Sequence, residues 1–284
     1  MIEILQKGIY TSIQDGGRYD YQDFGVPISG PMDRHAFLMA NHLLNNKSKA
    51  AAIECTFKGP KLRFHCKTHI VLTGADMQSK KNNKPIKNYK PIAVEEGDVI
   101  ELGVAKKGCR AYIGVAGGLK TQKILGSRSQ FKGITKEERI TKKTLLPIGI
   151  SEFIPPKGAV IHDPTNNYLN DILEAYPGPE YELLSKETQK SILEKSFYIS
   201  EINNRMAYQL QEKIEHQLQP IWTAPILPGT VQCTPDGSLI ILMADAQVTG
   251  GYPRIAQLTE AALSLLAQKS TQHQVRFKLL SETE

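Results

Sequence analysis

Four short segments of this 284-residue sequence combine glycines with polar side chains at a density that suits binding chemistry. In Ile13-Gln14-Asp15-Gly16-Gly17-Arg18 an aspartate and an arginine flank two glycines. That pattern makes either a buried ion pair that orients a carboxylate or carbonyl, or an Asp-capped turn with a surface arginine. On pattern alone the turn is the plainer reading. Gly25-Val26-Pro27-Ile28-Ser29-Gly30-Pro31-Met32-Asp33 leads into a helical stripe, and Asp33 in its first turn is favoured by the helix dipole whatever its function. Ala116-Gly117-Gly118-Leu119 and Leu125-Gly126-Ser127-Arg128-Ser129 offer backbone N–H groups, hydroxyls and Arg128, which make an anion cradle. A polar surface loop explains them equally well. In the stretch 244–253, Asp245, Gln247, Thr249, Gly250, Gly251 and Tyr252 crowd together in numbers that packing does not require. It reads as a binding site.

Several chemistries are not signalled. The sequence has no G-x-x-x-x-G-K-[ST], no G-x-S-x-G, no H-E-x-x-H and no G-x-G-x-x-G opening a helix. Cys55, Cys66, Cys109 and Cys233 are widely spaced, without C-x-x-C or a nearby histidine pair, so they read as small buried apolar residues. No metal site is expected. His35 and His42 share a helix face but lack a third ligand. The net charge of +6 is spread over scattered lysines, with no basic stripe interleaved with aromatics. Nucleic-acid binding is therefore not expected, and an anionic small substrate or an acidic partner fits better. Apolar runs such as 239–244 fall well short of the ~20 residues that span a bilayer. The first residues show no basic region followed by an apolar stretch, so a cytoplasmic protein is expected.

The elements that must position these residues are mainly strands, with a few short helices. Ala111–Ala116 reads as a buried strand and Gln274–Leu279 alternates as a half-buried one. Ser79–Pro85 reads as a hairpin tip, and turns are expected at 58–60, 96–98, 177–179 and 235–237. Many short strands with frequent turns argue for a sandwich or barrel. One helix is expected after Ser29-Gly30-Pro31, with Ser29 as a cap-like residue and an early proline, burying Ala36, Met39, Ala40, Leu43 and Leu44. Others are expected over Ser185–Glu194 and, capped by Thr259, over Glu260–Gln268, with Ala262, Leu265 and Leu266 inward. The Pro-, Gly- and Asn-rich stretch 154–170 has linker composition, which places a boundary near 160 between domains 1–157 and 158–284.

Taken in order, these segments resemble one family. The residues that carry the resemblance are Gln14–Arg18, Gly25–Asp33, Glu54, Leu72-Thr73-Gly74-Ala75, Val115–Gly118, Leu125–Ser129, Pro177-Gly178-Pro179, Asn204-Arg205-Met206 and Thr249–Pro253. They are similar to the biotin-dependent carboxyltransferase family, also called allophanate hydrolase subunit two or KipA-like, whose bacterial members are described as C-type subunits of 5-oxoprolinase. The resemblance implies two cyclophilin-like β-barrel domains. It implies a KipI-like B-type subunit and an A-type subunit as partners, which together open 5-oxo-L-proline to L-glutamate at the expense of ATP. ATP is then bound here or by a partner subunit. No biotin is expected on this chain, which has no Met-Lys-Met. Asp15, Arg18 and Asp245 are implied as catalytic residues. Gln14, Asp33, Glu54, Arg128, Arg205, Gln247, Thr249, Gly250, Gly251 and Tyr252 are implied as substrate-binding. Two other activities stay open: a KipA-like antagonist of a KipI-type histidine-kinase inhibitor, and a carboxyltransferase component acting on urea or an amide.

Overall fold

The computed structural model describes residues 1–151, 153 and 164–281. The chain divides into two compact units, one of Met1–Arg18 with Ser29–Leu169 and one of Tyr19–Ile28 with Asn170–Glu284. The boundary expected at 157/158 lies outside the described residues.

In the first unit the strands are β1 Ile2–Gln6, β2 Tyr10–Gln14, β3 Ala52–Thr56, β4 Lys61–Phe64, β5 Thr68–Asp76, β6 Lys80–Lys81, β7 Lys84–Pro85, β8 Ile92–Val94, β9 Val99–Glu101, β10 Lys107–Val115 and β11 Leu145–Leu146. They form two sheets, ordered β11-β1-β4-β9-β6-β7 and β2-β3-β10-β5-β8. Ile2, Ile4, Leu62 and Ile100 of one sheet meet Ile53, Leu72, Ala111 and Ile113 of the other in a single apolar core. The outer face of the second sheet is covered by α1, Arg34–Leu43, through Ala36, Phe37 and Ala40 against Val71 and Tyr112. Buried on both faces, β10 shows no alternation, which is why its sequence reads as one apolar run. Gly114 lets α1 approach, since a Cβ there would lie 3.2 Å from Ala40, Leu44 and Val71.

The second unit is a closed barrel. Its strands are β12 Ile172–Pro177, β13 Phe197–Asn203, β14 Ala207–Lys213, β15 Ala224–Pro225, β16 Thr230–Cys233, β17 Ser238–Leu242, β18 Thr249–Gly250, β19 Arg254–Leu258 and β20 Gln274–Leu279. The barrel runs β12-β19-β16-β17-β14-β13-β20 and closes through a parallel pairing of β20 with β12. Closure leaves no open sheet edge. The strands β15 and β18 form a separate two-stranded ribbon. Helices α2 (Lys186–Glu194) and α3 (Glu260–Leu266) are capped by Ser185 and Thr259, whose side chains accept from Thr188 N and Ala262 N.

The mainly-β class with few short helices is as the sequence predicts. The start of α1 is not. Ser29 sits at φ +58, a left-handed conformation that cannot cap, whereas Asp33 is extended and its carboxylate accepts from Ala36 N. Of the residues expected inward, Met39 and Leu265 are half-buried. His35 and His42 are exposed. Among the described residues no helix is long and apolar enough to cross a membrane.

Candidate functional site

The antiparallel order β2-β3-β10 brings three signature segments together in the first unit. Register sets Ser12 opposite Glu54, and Glu54 opposite Tyr112. Glu54, fully buried, accepts from the Met32 N–H (2.9 Å) and from the Tyr112 hydroxyl (2.7 Å). The same hydroxyl accepts from Asp33 N (2.8 Å), so Glu54 and Tyr112 clamp the entry to α1. Burial, with the Glu54 and Asp33 carboxylates beside it, holds Tyr112 well above the ordinary phenol range, so it stays a neutral donor. Asp33 spends its carboxylate on the helix cap, the plain role expected of it.

In the loop 124–129 the N–H groups of Ser127, Arg128 and Ser129 are committed within the protein, contrary to the cradle that its sequence suggests. Ser127 N donates to the Ile124 carbonyl, Arg128 N to Asp15 Oδ2 (2.7 Å) and Ser129 N to Ser127 Oγ (3.0 Å). The anion this loop cradles is the protein's own Asp15. Asp15 Oδ1 also accepts from Gly17 N (3.1 Å), Ser127 Oγ (2.5 Å) and Ser129 Oγ (2.9 Å). At Gly117-Gly118-Leu119 the N–H groups likewise bind Asn46, Val115 and Ala51. Of the two anticipated arrangements of Asp15 and Arg18, the Asp-capped turn is found, through Gly17 N, but without its surface arginine. Arg18 is no surface residue, at 1% exposure, and its guanidinium donates to the Ile124 (3.2 Å) and Ser129 (2.9 Å) carbonyls while Asp15 is held by other groups. Gln14, also fully buried, donates to Ser12 Oγ and the Gln130 carbonyl. Arg128 is different. It is half-buried, and its Nε has no partner among the described residues.

In the second unit Arg205 and Asp245 form a buried two-point pair, Nε to Oδ2 at 2.7 Å and Nη2 to Oδ1 at 3.0 Å. Asp245 N also donates to the Arg205 carbonyl, so this pair pins the start of the 244–253 segment. Beyond it Gln247, Thr249 and Tyr252 are exposed, and Gly250 and Gly251 lie on the ribbon edge. A side chain at Gly250 would displace the Gln232 amide, because a Cβ would come within 2.6 Å of its Nε2. Sequence reasoning passed over a further ion pair here. Glu180 takes Arg254 Nε (3.0 Å), Nη2 (2.8 Å) and backbone N (2.8 Å), and the guanidinium holds its carboxyl below the usual range. Tyr112 was also missed as a site-builder, although a tyrosine inside an apolar strand is a readable signal, whereas the Ser127 and Ser129 hydroxyls of the expected cradle do hold an anion, that of Asp15. Burial pushes the Cys55 and Cys109 thiols up, which suits packing and not attack. Among the described residues no group of three or more His, Cys, Asp or Glu is placed to hold a metal ion.

These two units, each carrying its own polar centre, define a carboxyltransferase-type protein: residues 24–279 match the carboxyltransferase domain, subdomain A and B, and the chain belongs to that family. Its relatives are enzyme subunits or larger enzymes. It is 32% identical over 275 residues to the C-type subunit of 5-oxoprolinase from Escherichia coli (strain K12), covering 94% of this chain and 87% of that one. With the C-type subunit of the Haemophilus influenzae 5-oxoprolinase it shares 31% over 291 residues, covering 100% and 93%. A stretch of 130 residues is 45% identical to the urea amidolyase of Lachancea kluyveri, which is 45% of this chain and 7% of that protein. The solved K. lactis urea amidolyase superposes with a TM-score of 0.87 at 27% identity, over 99% of this chain and 19% of its own.

Proposed function

We propose that this chain is the C-type subunit of an ATP-dependent 5-oxoprolinase, acting with B- and A-type subunits to open 5-oxo-L-proline to L-glutamate. The observation that carries this reading is the end-to-end similarity to two C-type 5-oxoprolinase subunits, which spans 87% and 93% of those proteins. In the overall reaction the lactam C–N bond breaks and two waters are consumed, one adding oxygen to the carbonyl carbon and a proton to nitrogen, the other balancing the conversion of ATP to ADP and phosphate. A lactam carbonyl is a poor electrophile, so its oxygen must be polarised or phosphorylated first, and cations with fixed donors stabilise the charge that develops. Arg128 is the cation suited to that task. In the second unit, taken by itself, Thr249, Tyr252 and the Gly250-Gly251 backbone offer donors and Gln247 an amide, a separate polar surface for a substrate or partner. Asp15, Arg18, Arg205 and Asp245 act as positioning residues, because each is committed to holding a loop. ATP is assigned to a partner subunit, since no phosphate-binding loop is found in this sequence.

The 45% identical stretch favours a second reading, a carboxyltransferase component acting on urea or another amide. The test is reconstitution with the B- and A-type subunits. ATP-dependent glutamate release from 5-oxoproline that requires this chain is expected. Carboxylation of urea by the chain plus a separate biotin carrier, with no glutamate release, would favour the second reading instead.

A further inference from the structure

Two glutamines stand on neighbouring strands of the barrel, each pressed against a glycine: a Cβ on Gly229 would lie 2.6 Å from Gln257 Nε2, and one on Gly250 2.6 Å from Gln232 Nε2. Their environments differ. Gln257 on β19 is fully engaged, its Oε1 accepting from Thr230 Oγ1 (2.8 Å) and its Nε2 donating to the Pro228 carbonyl (2.9 Å). Gln232 on β16 is 1% exposed, and neither end of its carboxamide has a hydrogen-bond partner among the described residues. Register sets it opposite Arg254, whose guanidinium is taken up by Glu180 at Nε and Nη2. The cover over the Gln232 amide is the β15–β18 ribbon, through Gly250 and the Ile226 side chain that follows β15. Among the described residues the two ribbon strands pair with each other and with no strand of the barrel.

A buried polar group left unpaired costs stability that an apolar side chain of the same shape would not. A carboxamide offers an acceptor and a donor side by side in one plane. The group that matches both at once is another amide whose C=O and N–H share an edge. Open-chain secondary amides are trans and turn the two to opposite edges. A five-membered lactam ring holds its amide cis, and urea presents the same edge. We propose that Gln232 binds the cis-amide edge of a lactam, its Nε2 donating to the ring carbonyl and its Oε1 accepting from the ring N–H. The β15–β18 ribbon lifts to admit the ring. This rests on the reading of the chain as part of a lactam-opening enzyme, and it names the ligand of the second unit's polar surface. Glutamine reads the adjacent donor and acceptor of adenine by the same two-point pairing. A carboxylate fits less well, because Oε1 would face a second oxygen and Glu180 already occupies Arg254.

The experiment measures binding of 5-oxo-L-proline by the full chain, alone and in the assembly with the B- and A-type subunits, against three analogues. L-Proline lacks the lactam carbonyl, N-methyl-5-oxo-L-proline lacks the N–H, and N-acetyl-L-alanine carries an open-chain trans amide. Each should bind at least about tenfold more weakly. Gln232→Met keeps the volume and removes the amide. It should raise Kd and KM for 5-oxo-L-proline about 10- to 30-fold with a smaller change in kcat, while its melting temperature holds or rises. Gln257→Met should do the opposite, lowering the melting temperature and leaving Kd unchanged. Trp222, the only tryptophan, is 95% exposed beside the bond from Ile221 N to the Gly251 carbonyl, so its emission should change as the ribbon moves. Parental Kd and KM in Gln232→Met overturn the proposal. So do equal affinity for N-acetyl-L-alanine, binding that leaves Trp222 emission unchanged, and a parent that binds neither 5-oxo-L-proline nor urea in either form. Urea separates the two readings. Urea bound in place of 5-oxo-L-proline, with the same loss in Gln232→Met, supports this site and sinks the 5-oxoprolinase reading. Glutamate release indifferent to Gln232→Met sinks this site alone.

Discussion

Arg18 and Arg205 show how far a side chain's neighbours decide its role. Each was expected to face a ligand, and each is buried and committed to the protein. Arg18→Ala would leave the Ser129 carbonyl without its guanidinium donor and the Ile124 carbonyl with Ser127 N alone, and would open space beneath the loop that holds Asp15. Chemical denaturation should show a loss of about 2–4 kcal/mol, with activity falling as the loop loosens. Arg18→Lys should recover only part, because an ammonium cannot reach both carbonyls as a planar fork does. A variant as stable as the parent would contradict this. Arg205→Ala should cost more, about 3–5 kcal/mol, because it strands the Asp245 carboxylate in a buried site. Replacing both partners by apolar residues should recover much of that loss, which a double-mutant cycle measures. The sequence showed these residues to be special but not why. Arg205 and Asp245 meet from different turns, one between β13 and β14 and one after β17, and no local pattern records such a pairing.

Elements were legible where their signals are local. Thr259 caps α3 as the sequence predicts, Ser185, expected as the first residue of α2, caps it instead, and β20 spans Gln274–Leu279 as its strict alternation requires. Failures arose where tertiary contacts overrode a local signal. Ser29 looks like a cap but is pressed into a left-handed turn, and the loop 124–129 looks free but is filled by Asp15. Glu180 and Arg254 join the turn after β12 to β19, and this tie has a pH signature. The hydrogen-bonded Arg254 guanidinium lowers the Glu180 pKa in the folded state. Its contribution is therefore complete above the unfolded value of about 4.3 and disappears as pH falls through the folded value. Thermal melts of the parent should lose stability relative to Glu180→Gln as pH drops from about 5 to 3. Parallel pH profiles for the two proteins would refute the tie.

At the scale of the whole molecule the chain leaves its first unit after Arg18 and returns at Ser29, and the segment between belongs to the second unit. No composition shift announces that excursion, because its cause lies in contacts the segment makes far along the chain. Its two ends nevertheless lie close together, since a Cβ on Gly30 would sit 3.3 Å from the Gly17 Cα. Closing a short gap between neighbouring ends costs little chain entropy. Replacing residues 19–28 by a short glycine linker should therefore leave the first unit folded, with Asp15 still held by Ser127 and Ser129. The loss should fall on the second unit. All seven strands of its barrel lie between Ile172 and Leu279, so a fragment of residues 170–284 has every partner that closure needs. That fragment should show a strand-type far-ultraviolet spectrum and a cooperative melt, at a temperature that rises when a peptide of residues 19–28 is added. A fragment that melts without cooperativity would show that the barrel depends on residues outside it, and that the two units fold as one.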